Sequence, residues 1–212
     1  MKRKKLCRWG AIVGVFVLGL LAGVSHATTY PLDIFTNNGQ YYDDPGVDLC
    51  VEVTNGLGIV DFTFYNNSTV DCSIARIYFD DGSLLGVDQI TNSLGTAFDK
   101  AYPRPGDLQG GENLTPPFDA DKEFTIGAIA PPPDNGVNNV PPGEWVKITF
   151  ELINGGALED VLDELNTGVL RIGMHVIAFP DGSSNSALLV PEPATVFLLG
   201  IGALGLLRKR KS

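Results

Sequence analysis

Residues 144–152 (EWVKITFEL) put Val146, Ile148, Phe150 and Leu152 on one side of an extended chain and Lys147, Thr149 and Glu151 on the other. A strand with one buried face turns that period of two into a packing surface. The pattern recurs in residues 58–65 (GIVDFTFY), where Val60, Phe62 and Phe64 alternate with Asp61 and Thr63. It recurs again in residues 169–179 (VLRIGMHVIAF), with Leu170, Ile172, Met174, Val176 and Ala178 inward and Val169, Arg171, Gly173, His175 and Ile177 on the other face. Residues 48–54 (DLCVEVT) and 72–79 (CSIARIYF) are two more β-prone runs, and Gly, Pro, Asn and Asp separate them all. The expectation is an all-β domain over residues 28–189, an antiparallel β-sandwich of jelly-roll or immunoglobulin-like form.

Local signals add detail. Asn55-Gly56 tolerates positive φ and predicts a hairpin between the first two runs. Asp80-Asp81-Gly82-Ser83 predicts a tight turn, with the chain returning through residues 84–87. Residues 102–118 and 131–143 are rich in Pro, Gly and Asn and read as long loops. Leu158, Val161, Leu162 and Leu165 recur at helical spacing among acids, predicting one short amphipathic helix that caps an open end of the sandwich.

Both ends of the chain differ from this body. Lys2, Arg3, Lys4, Lys5 and Arg8 precede an uncharged, mostly apolar stretch over residues 9–24, and Ser25-His26-Ala27 supplies small residues for a signal peptidase. Residues 1–27 therefore read as a signal peptide and its helix, cleaved after Ala27. At the other end an apolar run over residues 196–207 is closed by Arg208, Lys209, Arg210 and Lys211. An apolar helix entering the bilayer with a basic stop leaves that stop in the cytoplasm and the body outside. Even with Ala194 and Thr195 included the run reaches only ~21 Å against a hydrocarbon core of ~30 Å, which suits a transient transmembrane helix that is cut better than a permanent anchor. Between the ends, 6 basic residues face 24 acidic ones. A body so acidic is a poor binder of nucleic acid, and cations or cationic polymers suit its charge better.

The order Pro191-Glu192-Pro193, apolar run with Gly200, Gly202 and Gly205, basic cluster and chain end resembles the PEP-CTERM sorting signal. The resemblance covers residues 190–212. It implies an exosortase-type processing enzyme as partner, with transient anchoring of the C-terminus in the membrane and then delivery to the cell surface or extracellular matrix. The mixture of Lys with Arg is a small departure from the family's arginine-rich end. The body is also similar to β-rich bodies of that family through residues 142–145 (PGEW) and the FPDG that follows the last strand.

The body offers little chemistry. Once the signal is removed, Cys50 and Cys72 remain, an even pair in an exported chain, and one disulfide is the expectation, worth about 3 kcal/mol for a loop of roughly 20 residues. His175 is then the lone histidine, and no nucleophile elbow, paired metal-binding histidines or phosphate loop accompanies it. No catalytic residue and no cofactor is expected. Asp43, Asp44 and Asp48 in one segment and Asp80 with Asp81 in another are candidate calcium ligands, though neither has EF-hand spacing. Tyr30, Tyr41, Tyr42, Tyr102 and Trp145 could stack on sugar rings. The expected role is a non-catalytic surface or matrix protein associated with biofilm or extracellular polysaccharide. The alternatives are a carbohydrate-binding module and a carboxylate-dependent glycoside hydrolase, which needs two carboxylates about 5–9 Å apart.

Overall fold

The computed structural model describes residues 27–80, 85–100, 107–120, 124–129, 133–140 and 143–191. The expected signal helix and C-terminal transmembrane helix lie outside these residues. Among the described residues no helix is long and apolar enough to cross a membrane. The strands are β1 (Ala27–Ile34), β2 (Leu49–Asn55), β3 (Ile59–Asn66), β4 (Ser73–Asp80), β5 (Leu85–Asn92), β6 (Phe98–Lys100), β7 (Ile126–Ala128), β8 (Val137–Asn138), β9 (Trp145–Leu152), β10 (Arg171–Ile177) and β11 (Asn185–Leu189), with one helix, α1 (Leu158–Thr167).

All-β antiparallel architecture with a single helix is observed, but the strands do not divide into two sheets. They form one ladder in the order β5-β9-β3-β2-β1-β11-β10-β4-β7-β6, with β8 beside β4. Its terminal strands, β5 and β6, are consecutive in the chain, and the Asn92 side chain joins them by accepting from the Phe98 N–H at 2.7 Å and donating to the Phe98 carbonyl at 3.1 Å. The sheet is therefore rolled into a nearly closed, barrel-like wall. Phe62 and Phe150 on the paired strands β3 and β9 meet Phe79 on β4, five strands from β3 in the ladder, edge to face inside the wall, with ring centres 4.9–5.5 Å apart. Such aromatic geometry adds attraction beyond area burial.

The alternation patterns set which face turns inward. Val60, Phe62, Phe64, Val146, Ile148, Phe150, Ile172, Met174 and Val176 are all fully buried. The predicted β2–β3 hairpin is present, with Asn55 opposite Val60 and the Gly56 N–H bonded to the Ile59 carbonyl. Its left-handed residue is Gly58, at φ 75°. The predicted return of the chain alongside β4 is not found: β5 pairs with β9, and a bulge near Val87 bends it. Residues 81–84 lie outside the described set. Ala178, expected inward on β10, instead leaves the strand at φ 62°.

The helix forms where the spacing predicts, and buries Leu158, Val161 and Leu165 in the core. The Asp160 carboxylate accepts the Ala157 N–H at 2.8 Å, while Gly168, at φ 74°, lets Val169 bond back to the Glu164 carbonyl at 2.9 Å. These contacts satisfy groups that a helix end leaves without partners. Because α1 links the end of β9 to the start of β10, it fills one end of the barrel, the end at which β1 starts and β11 stops.

Candidate functional site

The structure separates several residues that the sequence groups together. Cys50 points outward from β2 beside Glu52, and Cys72 is buried in the core; both thiols are free. Neighbouring asparagines on opposite faces hold them, Asn67 with the Cys50 sulfur at 3.4 Å and Asn66 with the Cys72 sulfur at 3.6 Å. The expected disulfide is therefore absent, because side chains on opposite faces of a sheet do not meet. Burial pushes both thiols above their ordinary range, and for Cys50 the Asp48 carboxylate adds to it.

The calcium candidates do not converge either. Asp44 accepts the Gly46 N–H at 2.8 Å within its own turn, Asp43 is exposed, and Asp48 uses its main chain on Ser68. Asp80 is ion-paired with Arg171, and Asp81 lies outside the described residues. Among the described residues no three His, Cys, Asp or Glu side chains are placed to hold a metal ion. The aromatic candidates are likewise dispersed. Tyr30 is in the core, Tyr41 stacks on Phe179 at 5.1 Å, Trp145 is half-buried, Tyr42 is exposed, and Tyr102 falls outside the described set.

The outer face of β4 and β10 draws residues together in a way the sequence does not announce. Residues 107–120 lie over part of it, where Leu108 and Phe118 pack with Tyr78 as a second small core. Gly173 makes this approach possible, since a Cβ there would stand 2.5 Å from Leu108 Cδ2. Arg171 fastens the loop: its guanidinium pairs with Asp80, donates to the carbonyls of Pro116 and Pro117, and sits 5.2 Å from the centre of the Phe118 ring. Further along the same face a cleft of about 400 Å³ stays open, lined by Arg76, Tyr78, Asp107, Gln109 and His175 over Ala75 and Ile177. Arg76 stands between His175 on β10 and Gly127 on β7, so one of its neighbours has no side chain to cover it. Burial, helped by the Arg76 charge, holds His175 below the ordinary histidine range. Burial also raises Tyr78, although Arg76 opposes that rise. At neutral pH the imidazole and the phenol are both uncharged, and Arg76 and Asp107 carry the charge of the cleft.

The chain leaves the barrel beside its own beginning. Leu189 is buried opposite Leu32, the Val190 N–H still reaches the Pro31 carbonyl at 3.2 Å, and Pro191, without an N–H, is exposed. The predicted cleavage residue Ala27 opens β1 at this end, opposite Thr54. A family model described as the PEP-CTERM protein-sorting motif matches residues 189–211. This chain carries a PEP-CTERM sorting motif. The motif thus begins on the last sheet residue, and Pro191 of its Pro-Glu-Pro signature is the first residue free of the ladder. Glu192, Pro193, Arg208, Lys209, Arg210 and Lys211 lie outside the described residues. A PEP-CTERM motif implies export, anchoring of the C-terminus in the membrane and processing by an exosortase-type enzyme. No curated protein and no solved structure matches the chain.

Proposed function

We propose that this protein is an exported, non-catalytic component of the cell surface or extracellular matrix, anchored through its C-terminus only until the tail is cut. The observation that carries the reading is the match of residues 189–211 to the sorting motif, starting where the sheet ends. A folded body whose last strand runs directly into its address is organised for delivery as a unit.

The non-catalytic part of the reading draws support from how the reactive groups are used. His175 has neither cysteine beside it, since Cys72 is in the core and Cys50 is on β2. Asp61 is held by Lys147 at 3.3 Å and by the Thr149 hydroxyl, and Asp80 by Arg171, so these carboxylates serve the wall of the barrel. Association with biofilm or extracellular polysaccharide is part of the same proposal.

The test is the intact mass of the protein recovered from its native surface or medium, compared with a variant carrying alanine at Pro191, Glu192 and Pro193. The expected wild-type mass lacks residues 1–27 and the tail from about Pro191 onward, whereas the variant keeps its tail. A wild-type mass that retains Arg208, Lys209, Arg210 and Lys211 would overturn processing and leave a membrane-tethered protein.

A further inference from the structure

The body holds 6 basic residues among 24 acidic ones, and of the described ones Arg76 alone lines a cleft, while Lys100 is exposed on the short strand β6. Lys147 and Arg171 are paired with Asp61 and Asp80. Arg76 is exposed in the open cleft of β4 and β10 and makes no ion pair among the described residues. A guanidinium presents a planar fork of donors that matches a carboxylate in two parallel hydrogen bonds. His175, directly across the β4–β10 ladder, is neutral at physiological pH and adds an N–H without a second charge. That favours a single negative charge at this point over a phosphate dianion.

The rest of the cleft fits the rest of such a ligand. Asp107 and Gln109 offer oxygen acceptors and amide donors of the kind that bond hydroxyl groups, and the Asp107 charge excludes a second anionic group on its side. Ala75, Ile177 and the Tyr78 ring give an apolar lining suited to the C–H face of a pyranose. At about 400 Å³ the cleft has room for one sugar ring with some water, at the low end of the range for small-molecule sites.

We infer that this cleft binds a hexuronate unit, its carboxylate on Arg76 and His175 and its hydroxyl groups on Asp107 and Gln109. The inference goes beyond surface display and leans on that reading only for where the ligand is met. Binding is measured on the protein alone, so failure of one does not imply failure of the other.

The full chain is held in lauryldimethylamine oxide micelles, a detergent without a sugar headgroup, and titrated with D-glucuronate and with D-glucose. The reporter is the imidazole resonance that disappears in His175→Gln. Glucuronate is expected to shift it saturably, with glucose at least tenfold weaker. Arg76→Gln should weaken glucuronate at least tenfold while thermal unfolding stays as in the wild type, and Asp107→Asn should weaken it about threefold. Alginate trisaccharide, a hexuronate polymer fragment, is then added in competition. Displacement of glucuronate places the unit within a chain, and none assigns the site to the free sugar, both within the proposal. Glucose binding as tightly as glucuronate, no saturable shift, or glucuronate binding that survives Arg76→Gln in the folded protein would each overturn it.

Discussion

The two faces of the β4–β10 pair use one alternation for opposite ends. Inward, Ile77, Phe79, Ile172, Met174 and Val176 are fully buried and join the aromatic cluster of β3 and β9. Outward, Arg76, Tyr78, Arg171, Gly173 and His175 would ordinarily face water, yet the loop of residues 107–120 covers half of them and leaves the other half as a cleft. A buried strand face needs only apolar residues at every second position. A second layer on the outer face needs particular residues: a glycine where the loop comes close and an arginine that ties the exposed Pro116 and Pro117 carbonyls down to Asp80.

The comparison predicts unequal costs on the two faces. On the inner face, Phe150→Ala removes a ring shared by Phe62, Phe79 and Phe124 and should cost about 3–5 kcal/mol, measured by chemical denaturation of the processed protein. On the outer face, Arg171→Met keeps the bulk but leaves Asp80 and the Pro116 and Pro117 carbonyls without their donor. The two carbonyl bonds are exposed and water replaces them, so the expected loss is about 1–2 kcal/mol, chiefly from the part-buried Asp80 pair, with faster limited proteolysis inside residues 107–120. If Arg171→Met leaves cleavage of the loop unchanged, the arginine is not what fastens it. Gly173→Ala should cost about 1–2 kcal/mol through the clash with Leu108, and Leu108→Ala in the same chain should recover part of that loss, because it removes the atoms struck. Strict additivity of the two changes would show that the loop does not rest on Gly173.

The same contrast explains what was legible in the sequence. Inward positions of β3, β9 and β10, the β2–β3 hairpin and α1 could be read because each is a local pattern with a local cause. The sorting tail was legible because its parts follow one another in a fixed order. The single rolled ladder was not, since alternation tells which face is buried but not which strand lies alongside; β5 pairs with β9 across more than fifty residues of intervening chain. The disulfide failed for a related reason. Counting cysteines in an exported chain says that two exist, whereas their facing depends on register, and Leu49 inward puts Cys50 outward. The cleft joins β4, β10 and a proline-rich loop, and no spacing in the sequence brings Arg76, Asp107 and His175 together.

The smallest expected effect concerns the cleft and the sign of its pH dependence. His175 in the folded chain is held below its ordinary value, first by burial and then by Arg76 on the facing strand. Tyr78 and Gln109 near it are uncharged at neutral pH, and Asp107 lies on the loop side of the same cleft. Between the folded-state value and the ordinary value of about 6.5, the unfolded chain binds a proton that the folded chain does not. Stability from keeping the imidazole neutral is therefore fully present above about pH 6.5 and is lost as pH falls from there toward the lower folded-state value. His175→Gln should flatten that part of the stability profile without altering the steeper acid loss that carboxylates produce. Arg76→Gln should raise the folded-state histidine value only partly, because burial is the larger cause. If Arg76→Gln instead restores an ordinary histidine titration, charge rather than burial governs the cleft, and its outer face is wetter than the inner face by more than the loop contacts suggest.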